Sequence, residues 1–157
     1  MTTSHCCNST RAFIFMMGAF CSIAIGANAR AKTTHEVIVS QDAPAAIGPY
    51  SQAVLAGGVL YVSGQVGLDP RTGKLAAEDI RGQTKQVMAN LTAVLSKAGL
   101  TLDDTVQVQV FLADLNDYAA MNDVYAQYFK LPPARATVQV ARLPRDALVE
   151  IALIAVR

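Results

Sequence analysis

The run Ala147–Val156, Ala-Leu-Val-Glu-Ile-Ala-Leu-Ile-Ala-Val, carries a single charge, Glu150, in an otherwise apolar stretch. Such a run reads as a strand packed inside a fold. An unpaired carboxylate there is costly, so Glu150 has a cationic or hydrogen-bonding partner or lines a cavity that reaches water. The nearest cation upstream in a regular element is Arg135. Pro132-Pro133 fix the approach, and the chain from Ala134 to Val140 then alternates with period two. Arg135, Thr137 and Gln139 take one side of that strand, and Ala136, Val138 and Val140 the other. If the two strands form a hairpin about Leu143 and Pro144, Glu150 lies opposite or diagonal to the Arg135/Thr137 pair. The pair is then either a buried structural ion pair or part of a site.

The first 29 residues read as a leader and not as part of the domain. Arg11 precedes the apolar run Ala12–Gly26, and Ala27-Asn28-Ala29 has the small-x-small pattern of a signal-peptidase site. The run is interrupted by Gly18 and Ser22 and is shorter than the ~18 to 20 residues a spanning helix needs. The expectation is a signal peptide over 1–29, a mature domain over 30–157, and a periplasmic or secreted location with no membrane association after cleavage. All three cysteines, Cys6, Cys7 and Cys21, leave with the leader. The mature chain then has no disulfide, thiol chemistry or cysteine metal site. Of 13 basic and 12 acidic residues, Arg11 is also lost, which leaves equal numbers. A neutral chain without a basic patch argues against nucleic-acid binding.

Along the domain, Glu36–Ser40 reads as a first strand and Asp42–Tyr50 as a loop stiffened by Pro44 and Pro49. Tyr50, at the end of that loop, is either a packing aromatic or a site residue. Gln52–Ala56, the Gly57-Gly58 turn and Val59–Ser63 make a hairpin. Its second strand runs into Gly64-Gln65-Val66-Gly67, where the glycines mark a bulge or expose backbone N–H groups to a ligand. Asp79–Ala98 has helical spacing and Gly99 as its stop. Thr105–Phe111 alternates as a strand with Gln107 and Gln109 on one face. Asp114–Asp117 supply capping side chains for a second helix, whose apolar stripe is Tyr118, Met121, Val124, Tyr125, Tyr128 and Phe129, with Asn122 adjacent. The order β-β-β-α-β-α-β-β predicts an α+β domain, a mixed sheet with two helices on one face. The other face then needs cover from further copies of the chain.

The chemistry available is narrow. His35 is the one histidine beyond the leader and falls near the domain's start, which excludes histidine triads and histidine metal clusters. The aspartates at 103, 104, 114 and 117 lack calcium-loop spacing. No metal and no cofactor are expected. An arginine, a glutamate, a tyrosine, hydroxyls and backbone amides suit recognition of a small carboxylate combined with acid/base work on water.

Pro133-Ala134-Arg135, then Val138-Gln-Val-Ala-Arg-Leu-Pro144, then an Ile-rich strand with one Glu resemble the C-terminal signature of the RidA (YjgF/YER057c/UK114) family of enamine/imine deaminases. The resemblance extends back through Gly48-Pro-Tyr-Ser-Gln52, Ser63-Gly-Gln65 and Asn122, and covers about Val37 to Arg157. It implies a chorismate-mutase-like single domain and a homotrimer with sites in the clefts between subunits. It also implies hydrolysis of 2-enamine or 2-imine acids to 2-keto acids and ammonia. In that scheme Arg135 binds the substrate carboxylate and Glu150 handles the water. Ser63 and Gly64 contact the ligand, and Tyr50 and Asn122 complete the cleft. Thr137, a further substrate-binding residue in that scheme, stands where this pattern often has cysteine, keeping a hydroxyl but no thiol. The alternative expectation is an exported, non-catalytic trimer that binds a small ligand or a protein in a chaperone-like role.

Overall fold

The alternating strand patterns come together as one twisted sheet covered on one side. The computed structural model describes residues 34–157; the expected leader, 1–29, lies outside the described residues. The elements are β1 (His35–Ile38), β2 (Ala53–Ala56), β3 (Val59–Val66), α1 (Ile80–Lys97), β4 (Thr105–Leu112), α2 (Tyr118–Tyr125), β5 (Ala134–Gln139) and β6 (Val149–Val156). This is the expected order, with strand bounds within two residues of those expected except that β3 runs on from Ser63 to Val66. The sheet order is β1-β2-β3-β6-β4-β5, antiparallel except for the parallel β4–β5 pair. Among the described residues no helix is long and apolar enough to cross a membrane.

Local chemistry sets the turns. Gly57 and Gly58 have φ of 59° and 82°, the double positive φ that a two-residue hairpin turn needs. Asp79 caps α1 by accepting from the Gly82 amide at 2.9 Å. Gly99, at φ 73°, lets the Leu100 amide reach back to the Leu95 carbonyl at 2.9 Å and closes the helix. Asp114 caps the short 3-10 turn before α2 by accepting from Asn116, whereas the Asp117 side chain makes no cap bond to α2.

Strand periodicity divides the sheet into two faces. Leu60 and Val62 of β3, Val108, Val110 and Leu112 of β4, and Val149, Ile151, Leu153 and Ala155 of β6 are buried with Val87, Met88, Leu91, Val94 and Leu95 of α1. Met121 and Tyr125 of α2 join the same core. The other face carries Tyr61, Gln107, Gln109, Val138 and Ile154, with Tyr61 and Val138 about half exposed, so the glutamines share the uncovered side as expected.

One expectation is overturned. β5 and β6 do not form a hairpin: β6 lies between β3 and β4, and β5 pairs only with β4, at the sheet edge. The cause is topological. The β4–α2–β5 unit is a parallel crossover that places β5 outside β4. The chain then returns through 140–148 to the slot between β3 and β4, where an apolar strand is covered by neighbours on both edges.

Candidate functional site: two half-sites on opposite faces

The register separates Arg135 from Glu150. Arg135 aligns with Val108 and through it with Leu153, whereas Glu150 aligns with Phe111 and through it with Val138. Three residues of about 3.3 Å and two strand spacings of about 4.8 Å put the two backbones about 14 Å apart. The faces differ as well. Arg135 shares the helix face with buried Val108, and Glu150 shares the other face with Phe111. The expected Arg135–Glu150 ion pair therefore does not form within a protomer, and among the described residues no salt bridge involves either side chain.

Glu150 belongs to a cleft of 240 Å³ at the end of β3, lined by Tyr50, Ser63, Gly64, Gln65, Pro144 and Glu150 among others. The β3–β6 ladder shifts register between Val62 and Gln65, so Ser63-Gly64 form a bulge beside Glu150. A Cβ on Gly64 would overlap the Glu150 carboxylate and stand 2.7 Å from its Cδ. Gly64 is thus required for close approach and not for φ. Half-burial removes water from the Glu150 carboxylate and raises its pKa above the usual glutamate value. Ser63 Oγ donates to the Ser51 carbonyl at 2.7 Å, which leaves its lone pairs free to accept.

The loop carrying Tyr50 is anchored by Gln52, a residue whose role the sequence did not disclose. Its buried Oε1 accepts from the Ser40 amide at 2.7 Å. Its Nε2 faces the carbonyls of Ser40, Ala43 and Pro44 at 3.2, 3.4 and 2.7 Å. The Tyr50 hydroxyl in turn accepts from the Ile47 amide at 3.3 Å. On the far side, buried Asn90 of α1 donates to the Val66 and Leu68 carbonyls, and buried Gln83 accepts from the Leu148 amide at 2.8 Å. These side chains hold the ends of β3 and β6, and so the bulge and Glu150, against the helix.

Arg135 belongs to a second cleft of 460 Å³ with Asn122, Tyr125, Ala126, Phe129, Pro132 and Pro133. Its guanidinium carbon lies 4.7 Å from the Tyr125 ring centre and 5.7 Å from that of Tyr118. One of its terminal nitrogens donates to the Tyr118 hydroxyl at 3.1 Å. Among the described residues two aromatic rings, with no anion, hold a permanent charge in place. Tyr118, Asn122 and Tyr125 recur at i, i+4 and i+7 on α2; that spacing is the signal that could have attached the tyrosines to Arg135. Thr137 lines neither cleft; its hydroxyl is buried on the helix face with no hydrogen-bond partner among the described residues.

Residues 40–157 match the family model described as Endoribonuclease L-PSP. A RutC family protein of Pyrococcus horikoshii is 51% identical over 121 residues, 76% of this chain and 96% of the relative. The 2-iminobutanoate/2-iminopropanoate deaminase of Capra hircus is 48% identical over 122 residues, 77% of this chain and 89% of the relative. The crystal structure of E. coli TdcF with bound serine superposes with a TM-score of 0.75 at 44% identity, covering 78% of this chain and 98% of that one. With the fold, the motifs and these matches in agreement, the chain belongs to the Endoribonuclease L-PSP family, the RidA (YjgF) family.

Proposed function

We propose that this protein hydrolyses 2-enamine or 2-imine acids to 2-keto acids and ammonia. The observation that carries the reading is Glu150, a half-buried carboxylate without a cationic partner among the described residues, leaning over a glycine bulge in a cleft that admits a small molecule. Water adds to the carbon of the C=N bond as Glu150 takes one of its protons. With the imine nitrogen already protonated, this gives a neutral carbinolamine; Glu150 then returns its proton to that nitrogen, and the C–N bond breaks as the hydroxyl gives its proton, by way of Glu150, to the departing ammonia, which leaves a ketone and ammonium. A carboxylate made more basic by desolvation is better suited to the first step, and its conjugate acid remains available for the second. The deaminase name of the Capra hircus relative and the serine held by TdcF support a small substrate with an amino or imino group beside a carboxylate.

Arg135 supplies the carboxylate fork, but from the other face and about 14 Å away along the sheet. The reading therefore requires the Arg135 cleft of one copy to meet the Glu150 cleft of another. The uncovered face with Gln107, Gln109 and Tyr61 offers the packing surface, and the family resemblance implies a closed trimer. The family description names an endoribonuclease, but His35, the one histidine among the described residues, lies in edge strand β1 and lines neither cleft.

The test mixes the purified protein with an amino-acid oxidase that releases imines, with semicarbazide present to trap them. Faster keto-acid formation at the expense of the semicarbazone supports the reading. Unchanged partitioning at a molar excess of protein over oxidase overturns it and leaves a binding module on the same scaffold.

A further inference from the structure

Among the described residues Arg135 is held without an anion: the Tyr125 ring centre lies 4.7 Å from its guanidinium carbon, and Tyr118 on the first turn of α2 accepts one of its hydrogen bonds at 3.1 Å, its ring centre 5.7 Å from the same carbon. A neutral phenol is an acceptor that orients a guanidinium without cancelling its charge, so the donor fork stays available to a ligand carboxylate. A phenolate in the same place is a competing anion at hydrogen-bond distance. We propose that Tyr118 is a positioning residue for Arg135, which tunes carboxylate affinity through its hydroxyl and releases the ligand when that hydroxyl ionises. This rests on Arg135 being the carboxylate-binding group.

The surroundings favour the ionised phenol. A hydrogen bond from Asn122, then the hydrogen bond and charge of Arg135, lower the Tyr118 pKa below its usual value of 10.0. Arg135 from β5 and Asn122 from α2 are the groups that face the hydroxyl, and Tyr125 shares the guanidinium with it. In the assembled cleft proposed above, Glu150 of a neighbouring copy is the further titratable group, and a carboxylate titrates below a phenol. Tyr125 is distinguishable from Tyr118, because burial raises its pKa more than Arg135 lowers it.

The experiment is calorimetric titration of 2-oxobutanoate into the whole protein between pH 7 and pH 10, comparing wild type with Tyr118→Phe and Arg135→Lys. Phe keeps the ring and removes only the hydroxyl. The expected result at pH 7 is a roughly threefold to tenfold weaker affinity for Tyr118→Phe, as for loss of one hydrogen bond that orients a charged group. Wild-type affinity falls further as pH rises through the phenol's titration, and that alkaline loss is absent from Tyr118→Phe. If Arg135→Lys loses binding while Tyr118→Phe matches wild type at every pH, the tyrosine proposal is wrong and the arginine reading stands. If Arg135→Lys binds as wild type does, both fail.

Discussion

The carboxylate of Glu150 occupies the space a side chain at Gly64 would need: a Cβ there would stand 2.7 Å from Glu150 Cδ and 2.9 Å from its Cγ. Gly64 does not have the positive φ that would itself exclude alanine. Gly64→Ala therefore acts on Glu150 more than on the backbone, because the far end of a flexible side chain can swing aside. We expect a change in stability below about 1 kcal/mol, since a displaced surface-reaching carboxylate is cheap. Imine hydrolysis should fall by about 10²-fold, the lower end of what a misplaced acid/base group costs. Melting curves and the semicarbazide competition on the same preparation check both. A variant that melts normally and turns over at the wild-type rate would show that Glu150 need not sit over the bulge.

Replacing Glu150 with Gln separates catalysis from stability, and the fold decides which way stability moves. The sequence left open a structural ion pair, whose loss would destabilise, but the register excludes it within the protomer. Burial raises the folded-state pKa of Glu150. The folded protein thus disfavours the charged form, and stability present below the unfolded value near 4.5 is lost as pH rises through the raised folded value. Glu150→Gln removes that loss. The variant should match wild type near pH 4 and melt at an equal or higher temperature at pH 7, while imine hydrolysis disappears. Lower melting at pH 7 than at pH 4, relative to wild type, would mean that the carboxylate has a stabilising cation.

Much of this fold was readable because its signals are local. The Gly57-Gly58 turn, the Asp79 cap and Gly99 stop of α1, and the shared face of Gln107 and Gln109 all depend on residues a few positions apart. The pairing of β6 was not readable. A short link through Leu143 and Pro144 suggests a hairpin, yet β6 enters between β3 and β4, a choice set by where its apolar faces find cover. Glu150, Ser63, Gly64 and Tyr50 were named from motifs, and the structure brings them to one cleft; Arg135 and Asn122 fall in another. Gln52 stands in the Gly48–Gln52 motif without a legible role, because a glutamine bonded to loop carbonyls looks, in sequence, like any polar residue at a strand's start.

That glutamine gives a stability prediction. Gln52 is 3% exposed, its Oε1 accepts from the Ser40 amide, and its two Nε2 hydrogens are shared among the carbonyls of Ser40, Ala43 and Pro44, which lead to Tyr50. Gln52→Leu keeps the bulk but strands those backbone groups, at about 1–3 kcal/mol for each group left dry. Denaturant melts should show a loss of about 2–4 kcal/mol, with water entry relieving part of the penalty. The cost should persist when Tyr50→Phe is added, since the loop and not the tyrosine hydroxyl is what Gln52 holds. A loss under about 0.5 kcal/mol, the range of ordinary surface changes, would show that the loop holds without it.

Arg135→Lys should retain the fold, because Arg135 lies on edge strand β5 and makes no salt bridge among the described residues, but replacing a planar fork by a point charge should cost keto-acid binding about 1.5–3 kcal/mol. Paired with Glu150→Gln, it tests whether one site draws on two copies. Each variant alone lacks one half of every site. In a ring of subunits formed at random from equal amounts of the two, a site is complete when its arginine comes from a Glu150→Gln copy and its glutamate from an Arg135→Lys copy. That holds for about a quarter of the sites in a closed ring with one site per interface. Co-expression of the two impaired variants, assayed at a substrate level too low for Arg135→Lys to bind, should therefore restore about a quarter of wild-type hydrolysis. Mixing after folding, without subunit exchange, should restore none. A co-expressed mixture as inactive as either parent would mean that Arg135 and Glu150 do not serve a common site between subunits.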